Sequence, residues 1–206
     1  MKKPIILVDT DDTIIHHANP LVEYLNYIYQ KTYKVEDIEG YQVWKLYGIT
    51  YEAFWHELNT FFRSDYYFQS SFVENSIKTL QDLASDFRLV MCTSRSLAWQ
   101  GPTMELFEDR GILNLFEEFY FGGDYGPGEN AIPKYQNCLK AGASLIVDDY
   151  PKAVNACLEN GIPSILFGNY PWNHEILSVS GGRRAWNWQE VPQKVQEILL
   201  TAISPS

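Results

Sequence analysis

Four short apolar runs punctuate an otherwise mixed sequence: residues 5–8 (IILV), 89–92 (LVMC), 145–147 (LIV) and 164–167 (SILF), with a weaker one at 118–121 (EFYF). Each is short and apolar at consecutive positions, the pattern of a strand buried on both faces of a parallel sheet. Between them the period changes. Ile77, Leu80, Leu83 and Ala84 recur at helical spacing before the second run. Ala153, Val154 and Cys157 do so before the last, and Asn160-Gly161 with Pro163 form a helix stop. From Glu190 the pattern returns in Val191, Val195, Ile198 and Leu199. Strand and helix alternating in this way predict an α/β fold around a parallel sheet.

Residues 17–73 do not join that alternation. Asn19-Pro20 reads as an N-cap followed by proline at the first helical position, with Leu21, Leu25 and Ile28 along one face. A second helix is expected to start at Thr50 and to carry Phe54, Leu58, Phe61 and Phe62 inward. Eleven aromatic residues crowd this block: Tyr41, Trp44, Tyr47, Tyr51, Phe54, Trp55, Phe61, Phe62, Tyr66, Tyr67 and Phe68. The expected organisation is a core of residues 1–16 and 74–206 with a helical cap, 17–73, inserted between the first and second strands.

Composition narrows the class. The chain has 206 residues, of which 46% are hydrophobic and 20% charged, the balance of a globular protein with a sizeable core. Its formal net charge is −10, which disfavours nucleic-acid polymers and anionic membranes as partners but leaves room for a small anionic ligand. Three cysteines, Cys92, Cys138 and Cys157, form no CxxC pair, so neither a disulfide framework nor a zinc knuckle is indicated. Lys2 and Lys3 imitate the start of a signal peptide, but Asp9 cuts the apolar run short. A cytoplasmic location is the expectation.

The chemistry gathers where strands end. The first runs into Asp9-Thr10-Asp11, the second into Thr93-Ser94-Arg95, the third into Asp148-Asp149. In an open parallel sheet these ends share one edge, where ligands bind. Lys134, 14 residues before Asp148, opens the helix leading into the third run and is placed at the same edge. Crowded carboxylates favour a hard divalent cation, and Mg²⁺ suits a site shared with phosphate. An ionised Asp can attack phosphorus, and a second carboxyl two residues on can move the proton. Thr93 and Lys134 can then hold the phosphoryl oxygens.

These motifs resemble those of the haloacid dehalogenase superfamily: hhhhDxDx(T/V), a Thr/Ser at a second strand end, a distant Lys and a terminal acidic pair. The resemblance implies a Rossmann-like core and a phosphatase in which Asp9 is the nucleophile and Asp11 the general acid/base. It further implies Mg²⁺ on Asp9, the Asp11 carbonyl and Asp148, with Asp149 acting directly or through water, and Thr93 and Lys134 on the phosphoryl group. Within the superfamily, the acid at position 11 favours phosphomonoesterase or phosphotransferase activity over dehalogenases and P-type ATPases. VMCTSR, KYQNCLKAGASLIVDD, ILFGNYPWN, RRAWNWQEV and YYFQSSFVENSIKTL are similar to stretches of the 5'(3')-deoxyribonucleotidase family. That likeness implies a small phosphorylated substrate, a nucleoside or deoxynucleoside monophosphate. A phosphatase of a sugar phosphate or other metabolite, or an idle regulatory module, are the alternatives.

Around these residues, Ser94 belongs to the phosphate-binding set. Arg95 has two readings, a substrate contact or an ion pair with a nearby acid. His16 and His17 read as hinge or solvent-facing residues, Asp12 as a loop residue where relatives have Gly, and Pro171-Trp172-Asn173 as a structural turn. Trp44 and Trp55 are the cap aromatics expected to stack on a planar base.

Overall fold

A computed structural model describes residues 3–40, 42–123, 131–174 and 181–203. Tyr41 of the aromatic block lies outside them. Six parallel strands form one sheet: β1 (Ile5–Val8), β2 (Arg88–Thr93), β3 (Glu118–Phe121), β4 (Leu145–Asp148), β5 (Ser164–Phe167) and β6 (Gly182–Ala185). Their order is β3-β2-β1-β4-β5-β6, so β1 is central, flanked by β2 and β4. Ile6, Leu7 and Val8 are fully buried, as continuous apolar runs in a doubly covered sheet require. β6 (GRRA) was not foreseen. It is an edge strand whose two arginines interrupt any apolar run, and Arg184 donates to the Gly168 and Asn173 carbonyl oxygens.

The helices are α1 (Ala18–Tyr29), α2 (Val43–Leu46), α3 (Tyr51–Phe61), α4 (Asp65–Phe68), α5 (Ser76–Ala84), α6 (Gln100–Asp109), α7 (Lys134–Ala141), α8 (Pro151–Glu159) and α9 (Val191–Ile203). The α/β reading therefore holds, with α6 added. The first four helices lie between β1 and α5, and their aromatics pack on one another. Phe62 stacks on Trp99 at 4.5 Å, and Phe61, Phe62 and Tyr67 meet edge to face. This block leaves and rejoins the sheet layer through two adjacent segments. His16 N–H donates to Ser71 O and Val73 N–H to Ile14 O, both at 2.9 Å.

The start of α1 differs from the sequence expectation. The helix begins at Ala18, not after Asn19, and Ile28 is exposed at its far end. The orphan N–H groups of its first turn are met by Asp12, whose carboxylate accepts from His17 and Ala18 at 3.0–3.2 Å. Asp12 is buried, with φ of 52°, in the left-handed region that favours glycine. It joins the strand to the helix, a role well beyond that of a loop bystander. Thr50 caps α3 as read, accepting from Ala53 N–H at 3.2 Å.

The positive φ at residue 12 sets an order among substitutions. Asp12→Gly should be more stable than Asp12→Ala by about 1 kcal/mol, because both lose the carboxylate while only alanine is strained. Chemical denaturation of the two variants checks it; an alanine variant as stable as the glycine one would refute the account.

Candidate active site

The C-terminal ends of β1, β2 and β4 bring Asp9, Thr93 and Asp148 together with Lys134 at the start of α7. Lys134 Nζ lies 2.7 Å from Asp9 Oδ1 and 2.6 Å from Asp148 Oδ2, with all three residues buried. Asp9 N–H donates to Val147 O at 2.9 Å, which fixes the nucleophile candidate against β4. Asp148 Oδ1 accepts from Tyr150 N–H at 2.9 Å, and Asp149 Oδ2 from the Trp172 indole at 2.6 Å. Lys140, the other lysine on α7, lies over the Tyr120 ring.

Asp9, Asp148 and Asp149 each offer an oxygen within 4.8 Å of the others. Burial pushes Asp9 up to about 7 against the downward pull of Lys134, with Asp148 and Asp11 pushing the same way as burial. Asp149 is raised well above the carboxylate range, first by burial and then by Asp9 and Asp148. Three buried carboxylates face one ammonium, so the group needs more positive charge to be fully ionised. An all-oxygen set of this kind suits Mg²⁺, which Asp9, Asp148 and Asp149 would hold.

Asp11 points elsewhere. Its Oδ1 lies 2.6 Å from Arg95 Nη2 and its Oδ2 3.1 Å from Arg95 Nε, a two-point pair. Arg95 is fully buried. Its Nη1 donates to the Tyr67 hydroxyl and to Thr103 Oγ1, both at 2.7 Å, and its plane lies over Phe62 and Tyr67. Of its two readings, the structure displays the ion pair. Burial, the largest single influence, would raise Asp11, but the charges of Arg95, His17 and Lys134 with the Arg95 hydrogen bonds together outweigh it and bring the carboxyl down to about 2. His17 Nδ1 sits 3.3 Å from Asp11 Oδ1, and its ring stacks on Phe62. It is thus a site neighbour that the expected hinge or solvent role missed.

Thr93 is buried and its Oγ1 accepts from Arg95 N–H at 3.2 Å. The strand end is crowded: a Cβ at Gly122 would come within 3.0 Å of Ile132 O and 3.2 Å of Thr93 O. Two cavities meet at Asp11. The larger, about 530 Å³, is lined by Asp9, Asp11, Ser94 and Lys134 together with Trp44, Tyr51, Tyr150 and Lys152. The smaller, about 50 Å³, is mostly apolar, with Phe54, Leu58, Phe62 and Trp99. Only the larger falls in the size range of small-molecule sites. Trp44 borders it. Trp55 borders neither, and packs toward Trp99 with ring centroids 6.4 Å apart. Trp172, read as part of a turn, orients Asp149 through its indole, and Asn173 ties the ends of β4 and β5 through the Asp149 and Phe167 carbonyls.

No family model matches the chain. It is 27% identical over 187 residues, 90% of each protein, to a Bacillus subtilis (strain 168) protein named "Putative nucleotidase YqfW". In three dimensions it is similar to SP0104 from Streptococcus pneumoniae, a haloacid dehalogenase-like hydrolase, with a TM-score of 0.67, 14% identity and coverage of 94% of this chain and 99% of that one. A second structure, the "putative HAD-hydrolase YfnB" of Bacillus subtilis bound to magnesium, gives 0.64 at 13% identity, covering 95% and 100%. The fold read from the motifs is thus the fold observed. Among the described residues no helix is long and apolar enough to cross a membrane.

Two outcomes follow from the charges. Mg²⁺ at about 100 times its Kd adds about 2.7 kcal/mol of stability, raising Tm by roughly 5–10 °C for a chain of this length. Asp148→Asn should remove most of that shift; a variant that responds like the parent would exclude this cation site. Arg95→Met leaves the Asp11 carboxylate, 14% exposed, without its partner and should cost about 3 kcal/mol near neutrality, the low end for a buried pair. The folded-state value of Asp11, about 2, lies below its ordinary 3.8. The pair's contribution is therefore complete above about pH 4 and drains away as pH falls through 2. Denaturation curves of parent and variant should converge over that interval, and a gap that stays constant would contradict the assignment.

Proposed function

We propose that this chain, a protein of the haloacid dehalogenase fold, is a Mg²⁺-dependent phosphomonoester hydrolase acting through an aspartyl-phosphate on Asp9, and that its substrate is a nucleoside or deoxynucleoside monophosphate. The observation that carries the hydrolase reading is Asp9 itself: a buried carboxylate at the centre of the sheet edge, bridged by Lys134 to Asp148 and opening onto a 530 Å³ cavity.

The steps assign one task to each group. Asp9 attacks phosphorus while the bond to the leaving oxygen breaks. Lys134 and the Thr93 hydroxyl stabilise the charge on the non-bridging oxygens. Asp9, Asp148 and Asp149 would hold Mg²⁺, which would supply further positive charge beside the phosphoryl group. Asp11, ionised while paired with Arg95, first takes up a proton from solvent or from the incoming phosphate monoanion, gives it to the leaving oxygen, and then takes one from the water that cleaves the intermediate, releasing phosphate and restoring Asp9. For this Asp11 exchanges a bond to Arg95 for one to the reacting oxygen, while Tyr67 and Thr103 keep the guanidinium in place.

The nucleotide reading is supported by the name of the YqfW relative and by the wall of the cavity. Trp44 and Tyr51, with ring centroids 5.2 Å apart, offer aromatic surface to a planar base. Trp44 takes this role here and Trp55 does not.

Purified protein with Mg²⁺ should release phosphate from dUMP, dTMP or ribonucleoside monophosphates faster than from sugar phosphates. Asp9→Asn should lower kcat by roughly 10⁴-fold or more while leaving the circular dichroism spectrum unchanged. A preference for sugar phosphates would overturn the nucleotide assignment. Retained turnover in Asp9→Asn would overturn the mechanism.

A further inference from the structure

The large cavity extends well beyond what a phosphoryl group fills, and its lining is unusual. Lys152, Ala153 and Ala156 of α8 line it with Tyr150, and Gln42, Trp44 and Tyr51 of the helical block line it as well. Two alanines on one helical face leave open space, with a lysine beside it. Lys134, the other cation lining the cavity, already bridges Asp9 and Asp148. Lys152 is exposed and makes no ion pair among the described residues.

Its position on the helix sharpens the point. Pro151 is the first residue of α8, so Lys152 stands in the first turn. A cation there faces the positive end of the helix dipole, where an acid would be favoured. Helix stability therefore gives no reason for a lysine at this position. In a chain of net charge −10 it is also a local exception, a positive group on the wall of a cavity that must admit an anion.

We infer that Lys152 is a specificity-determining residue that receives a second anionic group on the leaving portion of the substrate, a further phosphate or a carboxylate, in the cavity that Trp44 and Tyr51 also line. This rests on the hydrolase reading above and shifts its substrate class from simple nucleoside monophosphates toward phosphate monoesters whose leaving group itself carries a charge. The ammonium makes no bond to the reacting phosphorus. It acts by attraction across the cavity, so its effect belongs in KM and fades with salt.

The test compares substrates in pairs differing by one anionic group. Deoxyuridine 3',5'-bisphosphate against dUMP probes a second phosphate, and orotidine 5'-monophosphate against UMP probes a carboxylate. Wild-type protein should favour the charged member of at least one pair in kcat/KM, and added KCl should erode that preference. Lys152→Ala should reduce the preference about fivefold, the scale of one partly screened ion pair, mainly through KM. Lys152→Glu should reduce it further. Whichever pair responds identifies the group. If both members of each pair change by the same factor, or neither changes, the inference fails. Wild-type protein inactive on all four substrates and on p-nitrophenyl phosphate would instead defeat the hydrolase reading. Calorimetric titration of Asp9→Asn with the same ligands then reads the Lys152 contribution to binding without turnover: a Kd ratio unmoved by adding Lys152→Ala overturns the inference.

Discussion

Five carboxylates, those of Asp9, Asp11, Asp12, Asp148 and Asp149, are held at one edge of the sheet, and four of the five residues are buried. Removing a charge from water is costly unless something replaces the water, and the architecture around the edge is a set of replacements. Lys134 serves Asp9 and Asp148 together. Arg95 takes both oxygens of Asp11. Asp12 is met by the first N–H groups of α1, and Asp149 by the Trp172 indole. Each partner comes from a different element, so sheet, helical block and late loops are all fastened to the same few acids.

Much of this was legible in the sequence for a simple physical reason. Strands of a doubly covered parallel sheet must be apolar throughout, so their ends are marked by the first polar residues. The ends of β1, β2 and β4 could be read directly as Asp9, Thr93 and Asp148. Lys134 was legible too, because its place at the start of α7 follows from the helix length before β4.

What stayed hidden depends on geometry that no spacing encodes. Asp12 looked idle because its partners are main-chain groups five and six residues on, which carry no side-chain signature. Arg95 could have faced substrate or acid; the choice depends on Thr103, on the next helix, and on Tyr67, distant in sequence and held close in the packing around Phe62 and Trp99. Trp44 and Trp55 were equivalent as letters, and only the turn of the chain between α2 and α3 puts one on the cavity wall and the other against Trp99. β6 escaped because an edge strand need not be apolar.

The Arg95 contacts bear on how such a protein could diversify. A helical block inserted between two strands looks like an exchangeable module, free to vary while the sheet edge keeps its chemistry. Here the tyrosine hydroxyl and phenylalanine ring that seat the guanidinium belong to the block, whereas the carboxylate it grips belongs to the sheet. A graft that replaced residues 17–73 wholesale would strip one side of that seat and leave a buried cation loosened beside Asp11. Swapping the block therefore requires carrying over Phe62 and Tyr67, or replacing Arg95 in the same step.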